Sequence, residues 1–353
     1  MSTKMPNTNR NALIGGLIAG AVLSVRSVVR SRRFYDLKNK VILVTGGSRG
    51  LGLVMAREFA ARGARLVICA RDAEELERAR AELSGLGADS AADILAVTAD
   101  VTIQDDIERL RAAIYARFGR VDVLVNDAGV ITIGPFEEMT VADYEVAMQT
   151  HFYGPLYTTM AFLPGMRERG HGRIVNISSI GGKIAVPHLL PYCASKFALA
   201  GFSEGMRAAV KRDGVYVTTV CPGLMRTGSP RHGEFRGKLE EEYAWFTAAD
   251  SLPGLSIDAT RAARMVVDAC VHGDAELIMP ASAWIGVKAN ALAPGIASDV
   301  LSLSERLLPQ VNGSDGEKRR GAEIARDAIP PWLADRDDKA ALQNNEMPLR
   351  PTI

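Results

Sequence analysis

The stretch Val41-Ile-Leu-Val-Thr45-Gly46-Gly-Ser48-Arg49-Gly50-Leu51-Gly52 decides the fold. Four apolar residues and a threonine make a short run with no polar alternation. That pattern suits a strand buried on both faces. Gly46, Gly50 and Gly52 then allow a tight turn and a close backbone approach. An amphipathic stretch from Leu51 to Arg62 follows at once, so the turn opens into a helix. The free amides at a helix N-terminus form a ready site for a phosphate.

The same unit recurs downstream. Strands are predicted at Val41–Thr45, Arg65–Ala70, Ile94–Ala99, Val121–Asn126, Arg173–Ser178, Val215–Cys221 and Glu276–Met279. Helices are predicted between them at Leu51–Arg62, Ala73–Ser84, Gln104–Phe118, Ala142–Glu168, Ala194–Arg212 and Asp258–His272. Apolar strands separated by helices imply a parallel sheet covered on both faces. The expected class is α/β: a doubly wound, Rossmann-type, seven-stranded parallel sheet with helices on both faces.

A second constellation lies in the later half. Ser179 closes Arg173-Ile-Val-Asn-Ile-Ser-Ser179, and Tyr192 and Lys196 follow in Pro-Tyr-Cys-Ala-Ser-Lys. A lone Tyr-x-x-x-Lys is a weak motif. On a helix, however, positions i and i+4 share a face. A free phenol has a pKa of about 10, and a nearby ammonium favours its ionised form. A serine hydroxyl can donate to a carbonyl oxygen on which negative charge develops. Combined with the upstream glycine turn, this order points to a bound dinucleotide and a transferred hydride.

With these residues quoted, the chain resembles the short-chain dehydrogenase/reductase family over about Asp36–Pro280. The resemblance rests on Thr45-Gly-x-x-x-Gly-x-Gly52, Asp100-Val101, Asn126-Asp-Ala-Gly129, Ser179, Tyr192-x-x-x-Lys196 and Pro222-Gly223. It implies that Asp100 and Val101 hold the adenine. It places Asn126, Ala128 and Gly129 beside the nicotinamide, and gives Pro222, Gly223 and Thr227 its far end. Tyr192 becomes the general acid/base, Lys196 binds the nicotinamide ribose and tunes the phenol, and Ser179 positions the carbonyl. A dimer or tetramer built on the helices holding Tyr192 and His151 is also implied.

Two positions depart from the family pattern. Asp127 stands where asparagine is usual. His151, in Gln149-Thr-His-Phe-Tyr-Gly154, stands where the fourth catalytic residue, an asparagine, is expected. A histidine there can join a proton relay with altered pH dependence, or can simply pack beside the site.

Cofactor choice turns on the end of the second predicted strand. NAD sites usually carry an acid there for the ribose 2′-hydroxyl. This chain has Ala70 and then Arg71, with Arg49 in the glycine turn. Two guanidinium forks suit a 2′-phosphate, so NADP(H) is favoured over NAD(H). Asp72 is the competing hydroxyl ligand.

The remaining segments set the domain plan. The chain has 353 residues, 47% of them apolar, and a net charge of +1, which gives no nucleic-acid footprint. Cys69, Cys193, Cys221 and Cys270 have no metal-ligand spacing and read as reduced thiols; no metal is expected. Residues 1–36 form an arm whose apolar part, Ala12–Val25, is shorter than the ~20 residues of a spanning helix. It either docks on the protein's own surface or lies on a membrane through residues 12–29. The arginines after it favour a cytoplasmic location for the domain. Residues 37–280 form the catalytic domain and 228–255 its substrate-side insertion. Residues 281–353 are expected to be a helical extension ending in a polar, partly unordered tail.

Apolar loops, Ile131, Ile133, Ile184 through Leu190, Leu224 and Met225, suit a lipophilic ketone or alcohol. The insertion's Phe235, Tyr243, Trp245, Phe246, Leu252 and Leu255 either line that pocket or pack the insertion down. His188 reads as a surface histidine. The leading expectation is an NADPH-dependent carbonyl reductase or alcohol dehydrogenase. A non-catalytic NADP-binding sensor or scaffold, and an epimerase or dehydratase using the same tyrosine, are the alternatives.

Overall fold

A computed structural model describes residues 24–25, 27–85, 94–251, 256–310, 316–324 and 329–347. Most of the apolar arm Ala12–Val25, and Leu252 and Leu255 of the insertion, lie outside the described residues.

The central sheet is built from β1 (Val41–Thr45), β2 (Arg65–Ala70), β3 (Ile94–Thr98), β4 (Val123–Asn126), β6 (Gly172–Ile177), β7 (Val215–Pro222) and β11 (Glu276–Met279). The shorter β5 (Thr132–Ile133), β8 (Met225–Arg226), β9 (Glu234–Phe235), β10 (Ile257–Asp258) and β12 (Arg319–Arg320) form two small outlying sheets. The seven strands are ordered β11-β7-β6-β4-β1-β2-β3 and all pair in parallel. The strand order reverses at β1, where doubly wound folds bind their ligands.

Alternate residues of β1 serve different layers. Ile42 and Val44 enter a core with α1 (Gly50–Ala60), α2 (Ala73–Ser84) and α8 (Ala259–His272). Val41 and Leu43 enter the opposite core with α3 (Gln104–Phe118), α5 (Gly154–Glu168) and the end of α6 (Leu190–Val210). This is why the strand is apolar at every position from Val41 to Val44.

A buried polar ladder bolts the middle of the sheet to the helices. Asn126 Nδ2 donates to Asn176 Oδ1 at 2.8 Å, and Asn176 Nδ2 donates to Ser203 Oγ at 3.1 Å. Thr219 donates to the same serine, and Thr158 donates to Asn126 Oδ1. Each buried group has a partner, as a dry interior requires.

Three expectations are corrected. The predicted helix Ala142–Glu168 is three pieces: α4 (Val141–Met148), a π turn at Gln149–Tyr153, and α5. Pro155 has no N–H to continue the α-helical ladder, and the Gly154 amide instead reaches back to Gln149 O. The helix bearing Tyr192 starts at Leu190, because Pro191 is tolerated in a first turn. The described part of the tail is folded: Ile324, Ile329 and Leu333 form a third core with Ile133, Phe235, Tyr243 and Phe246. The insertion's α7 (Leu239–Ser251) and the terminal α11 (Pro331–Gln343) thus stabilise each other. Helices α9 (Ala281–Leu292) and α10 (Pro294–Glu305) lie between them in the chain.

The near end of the arm is docked at the amino ends of the strands. Tyr35 N donates to Val271 O, Arg30 pairs with Asp274 at 3.0 Å, and Arg173 stacks 4.6 Å from both Tyr35 and Tyr216. Among the described residues, no helix is long and apolar enough to cross a membrane.

A Cβ on Gly52 would collide with the Gly46 carbonyl oxygen, on which α1 is seated. Gly52→Ala is therefore expected to destabilise the fold by about 1–3 kcal/mol. A thermal melt indistinguishable from that of the parent would show that α1 can shift to accept the methyl group.

Candidate active site

The glycine turn is held by backbone geometry. Thr45 Oγ1 accepts from the amides of Asp127 and Ala128 at 3.1 and 3.2 Å, locking β1 to the end of β4. Gly46 has φ +70°, and a Cβ there would stand 2.9 Å from Ala128 Cα. The Arg49 side chain does not cap α1; the Gly52 amide instead donates to the Asp127 carboxyl, which reaches the helix start from the end of β4. This cradle fits a dinucleotide pyrophosphate.

Ser179 and Tyr192 meet at the carboxyl end of β6. Ser179 Oγ accepts from the Gly181 amide at 2.9 Å and hydrogen-bonds with the Tyr192 hydroxyl. Burial pushes the phenol above its ordinary value, the Ser179 bond opposes the shift, and Cys193, Asp127 and Asp250 add to it. The expected lowering by the ammonium is therefore outweighed, and Tyr192 holds its proton at neutral pH. Lys196 lies behind it, only 4% exposed, donating to Ile177 O at 2.8 Å with its Nζ 5.6 Å from the Tyr192 ring centre.

Lys196 faces a carboxyl that sequence reasoning passed over. Burial pushes Asp127 upward and the Lys196 charge pulls it back. Burial pushes Lys196 downward and the Asp127 charge opposes it. The half-buried carboxyl and the buried ammonium thus bear on each other's charge. The only sign of it in the chain was an acid where asparagine is usual.

His151 sits on the π turn, 1% exposed, with its ring edge-to-face against Tyr192 at 5.4 Å. The Val130 amide donates to Nε2 at 3.1 Å, so that nitrogen carries a lone pair. Nδ1 lies 2.7 Å from Ser195 Oγ, and Ser195 donates to Tyr192 O at 2.8 Å. One tautomer satisfies all three: Nδ1–H donates to Ser195, which donates to the tyrosine carbonyl. Burial and then the Lys196 charge push His151 well below 6.5. Of the two expected roles, relay or packing, these hydrogen bonds fit a neutral imidazole that braces the β4 loop against α6. Ser195 is its partner, unmarked in the chain because a helical serine is common.

The other predicted residues divide. Val101 is buried against Gly154, and Asp100 Oδ1 accepts from Thr102. The Asn126 side chain is spent on Asn176 and Thr158 rather than on a ligand. Ala128 and Gly129 follow it into the cleft, and Gly129 lies 3.2 Å, measured from an ideal Cβ, from His151 Nε2. Pro222 ends β7, and Gly223 N donates to Met279 O. Thr227 is buried and accepts from Ser229 N. Arg71 is exposed and lies 4.0 Å from Asp100. Asp72 caps α2 by accepting from Glu75 N, so it is committed elsewhere. Ser48 bonds to Glu75, and Arg49 pairs with Glu75 at 2.7 Å and Glu346 at 3.2 Å. Leu51 is buried in the core.

His188 is not on the surface. It is buried, with Nδ1 2.8 Å from Glu242, which also accepts from Trp245. Phe235, Tyr243 and Phe246 pack the insertion onto the body. The four cysteines are free and buried; burial pushes Cys193 up to about 11, so it is no nucleophile.

Comparison with known proteins agrees with this geometry. Residues 40–233 match the family model described as short chain dehydrogenase. Dehydrogenase/reductase SDR family member 7B of Danio rerio is 38% identical over 219 residues, covering 61% of this chain and 71% of its own. A short-chain dehydrogenase from Streptomyces avermitilis superposes with TM-score 0.64 and 32% identity over 76% of this chain and 97% of its own. An actinorhodin polyketide ketoreductase with NADPH superposes with TM-score 0.60 and 32% identity, over 68% and 95%.

The neutral His151 carries a pH signature. Its native pKa lies below the unfolded value, so stability falls as pH drops below about 6.5, by at most about 1.4 kcal/mol per pH unit. His151→Asn should flatten that slope in urea melts run between pH 5 and 7. In ¹⁵N spectra, the His151 ring should stay neutral with Nδ1 protonated throughout pH 6–8; titration within that range would refute the brace.

Proposed function

Because the chain belongs to the short-chain dehydrogenase/reductase family, we propose that it is an NADPH-dependent carbonyl reductase for a lipophilic ketone, able in reverse to oxidise a secondary alcohol. The observation that carries this reading is the Ser179–Tyr192 hydroxyl pair beside the buried Lys196. The two hydroxyls converge where a carbonyl oxygen can accept from both.

NADPH, when bound, supplies the hydride to the carbonyl carbon. Tyr192 transfers its hydroxyl proton to the carbonyl oxygen, and the secondary alcohol leaves. Burial keeps that proton in place at neutral pH, which suits reduction. Ser179 donates to the same oxygen, since its lone pair is already engaged by Gly181 N. Lys196 keeps positive charge behind the phenol, and Asp127 opposes its loss of a proton.

The preference for the 2′-phosphate is supported by three observations. Arg71 is free to swing at the end of β2, with its side chain 64% exposed. The competing acid, Asp72, is used as a helix cap. The actinorhodin relative is described with NADPH. Lipophilic substrate choice is supported by half-buried Ile184, Val186 and Leu224 on the loops beyond the strands. Ile133 and the insertion aromatics no longer count towards that wall, because they belong to the third core.

Tyr192→Phe should abolish ketone reduction while leaving NADPH affinity within about twofold, read by fluorescence titration. Residual turnover within tenfold of the parent would sink the mechanism. Arg71→Ala should weaken NADPH by about 1–3 kcal/mol more than NADH, the scale of a lost charge-assisted bond. Equal losses, or a parent that prefers NADH, would overturn the cofactor assignment.

A further inference from the structure

The end of the chain lies across the glycine turn. Gly50 N donates to Asn344 O at 2.9 Å, taking an α1 amide that the family fold offers to phosphate. Asn345 Nδ2 donates to Ser48 O at 2.8 Å and Glu75 O at 3.1 Å. On the opposite wall, Asn344 Nδ2 donates to Thr227 O at 3.2 Å. The segment therefore spans both lips of the cleft, from the glycine turn to the predicted nicotinamide end.

Glu346 is the centre of this contact. Its carboxylate is buried between Arg49 at 3.2 Å and His232 at 3.1 Å. It presses on the bare α-carbon of Gly50, where an ideal Cβ would lie 2.7 Å from Oε1. A carboxyl group set against a helix N-terminus and held by an arginine uses the features that favour a phosphate there. Arg49, expected to face the dinucleotide, is instead neutralised by Glu75 and Glu346.

We propose that residues 343–347 form an intramolecular strap that fills the dinucleotide cleft, and that the cofactor binds only when this strap swings away. The inference rests on the glycine turn being the dinucleotide site. A backbone amide already donating to Asn344 cannot also hold a pyrophosphate oxygen, and the Glu346 side chain fills the space against Gly50 where one would approach. The strap is short and hinges on a well-anchored helix. Leu333, Ala340 and Ala341 of α11 are buried, and a Cβ at Gly228 would collide with Ala341 Cα. Release of the last few residues thus leaves the third core in place.

Burial also strains the closed form. Glu75, Asp337 and Asp127 face Glu346 with like charge, while Arg49 pulls the other way, and burial raises its carboxyl to about 8. His232 faces it too and is itself pushed down by burial and Arg49. A carboxyl forced above its exposed value resists closure once ionised. The strap is therefore held by geometry with an electrostatic load against it, which suits a contact made to open.

The test compares the full chain with one ending at Leu342. NADPH and NADH are titrated by fluorescence, and hydrogen exchange is followed on the full chain. Removal of the strap should tighten both dinucleotides at least tenfold, and saturating NADPH should strip protection from the amides of residues 344–346. Should the shortened chain fail to fold, the double variant Asn345→Ala, Glu346→Ala should show the same tightening. Equal or weaker dinucleotide binding without the strap overturns the proposal and leaves the cofactor reading standing. Failure of both chains to bind either dinucleotide overturns the two together.

Discussion

The approach of Gly46 to Ala128 governs the rest of the molecule. Here β1 and β4 end side by side, and Thr45 Oγ1 accepts two amides from the neighbouring strand's exit. No side chain fits between them. The same turn seats α1 against the end of β4, where Asp127 accepts the Gly52 amide, and directs the β4 loop towards His151. Sheet reversal, phosphate cradle and catalytic floor are consequences of one backbone contact.

The candidate site is built around a buried ammonium. Lys196 and His151 are buried beside the half-buried Asp127, and the Lys196 charge bears on both of the others. A low-dielectric setting strengthens each interaction and makes each unpaired group costly. The protein meets this with full hydrogen bonding: Lys196 to Ile177, His151 to Val130 and Ser195, Ser195 to Tyr192. The π turn matters because it places the His151 ring between the β4 loop and α6.

The two ends of the chain serve opposite ends of the sheet. The arm is fastened at the amino ends through Arg30, Tyr35 and the stacked Arg173. The C-terminal extension is fastened at the carboxyl ends, where it completes a core with the insertion and reaches the glycine turn. Neither ring of Phe235 and Tyr243 faces substrate; both seat the extension that carries the strap.

Local pattern alone determined the sheet, its seven strands and the Ser179, Tyr192 and Lys196 constellation. Each of these is written in short-range signals: apolar runs, glycines at a turn, an i, i+4 pair. The π turn was not read because apolar periodicity over Ala142–Glu168 suggests one helix; Pro155 marks the break locally, and the His151 bonds to Val130 and Ser195 fix its form. Charge states were illegible because the ionisation of His151 and Tyr192 depends on burial and on groups from other elements. The fates of Arg49, Asn126 and His188 were decided by partners far along the chain, whereas Asp72 is spent locally, on the amide three residues on. Glu346 is the extreme case, since nearly three hundred residues separate it from Gly50 and no local signal links them. Short-range chemistry sets which groups are present; tertiary packing decides which are buried, paired or free to act.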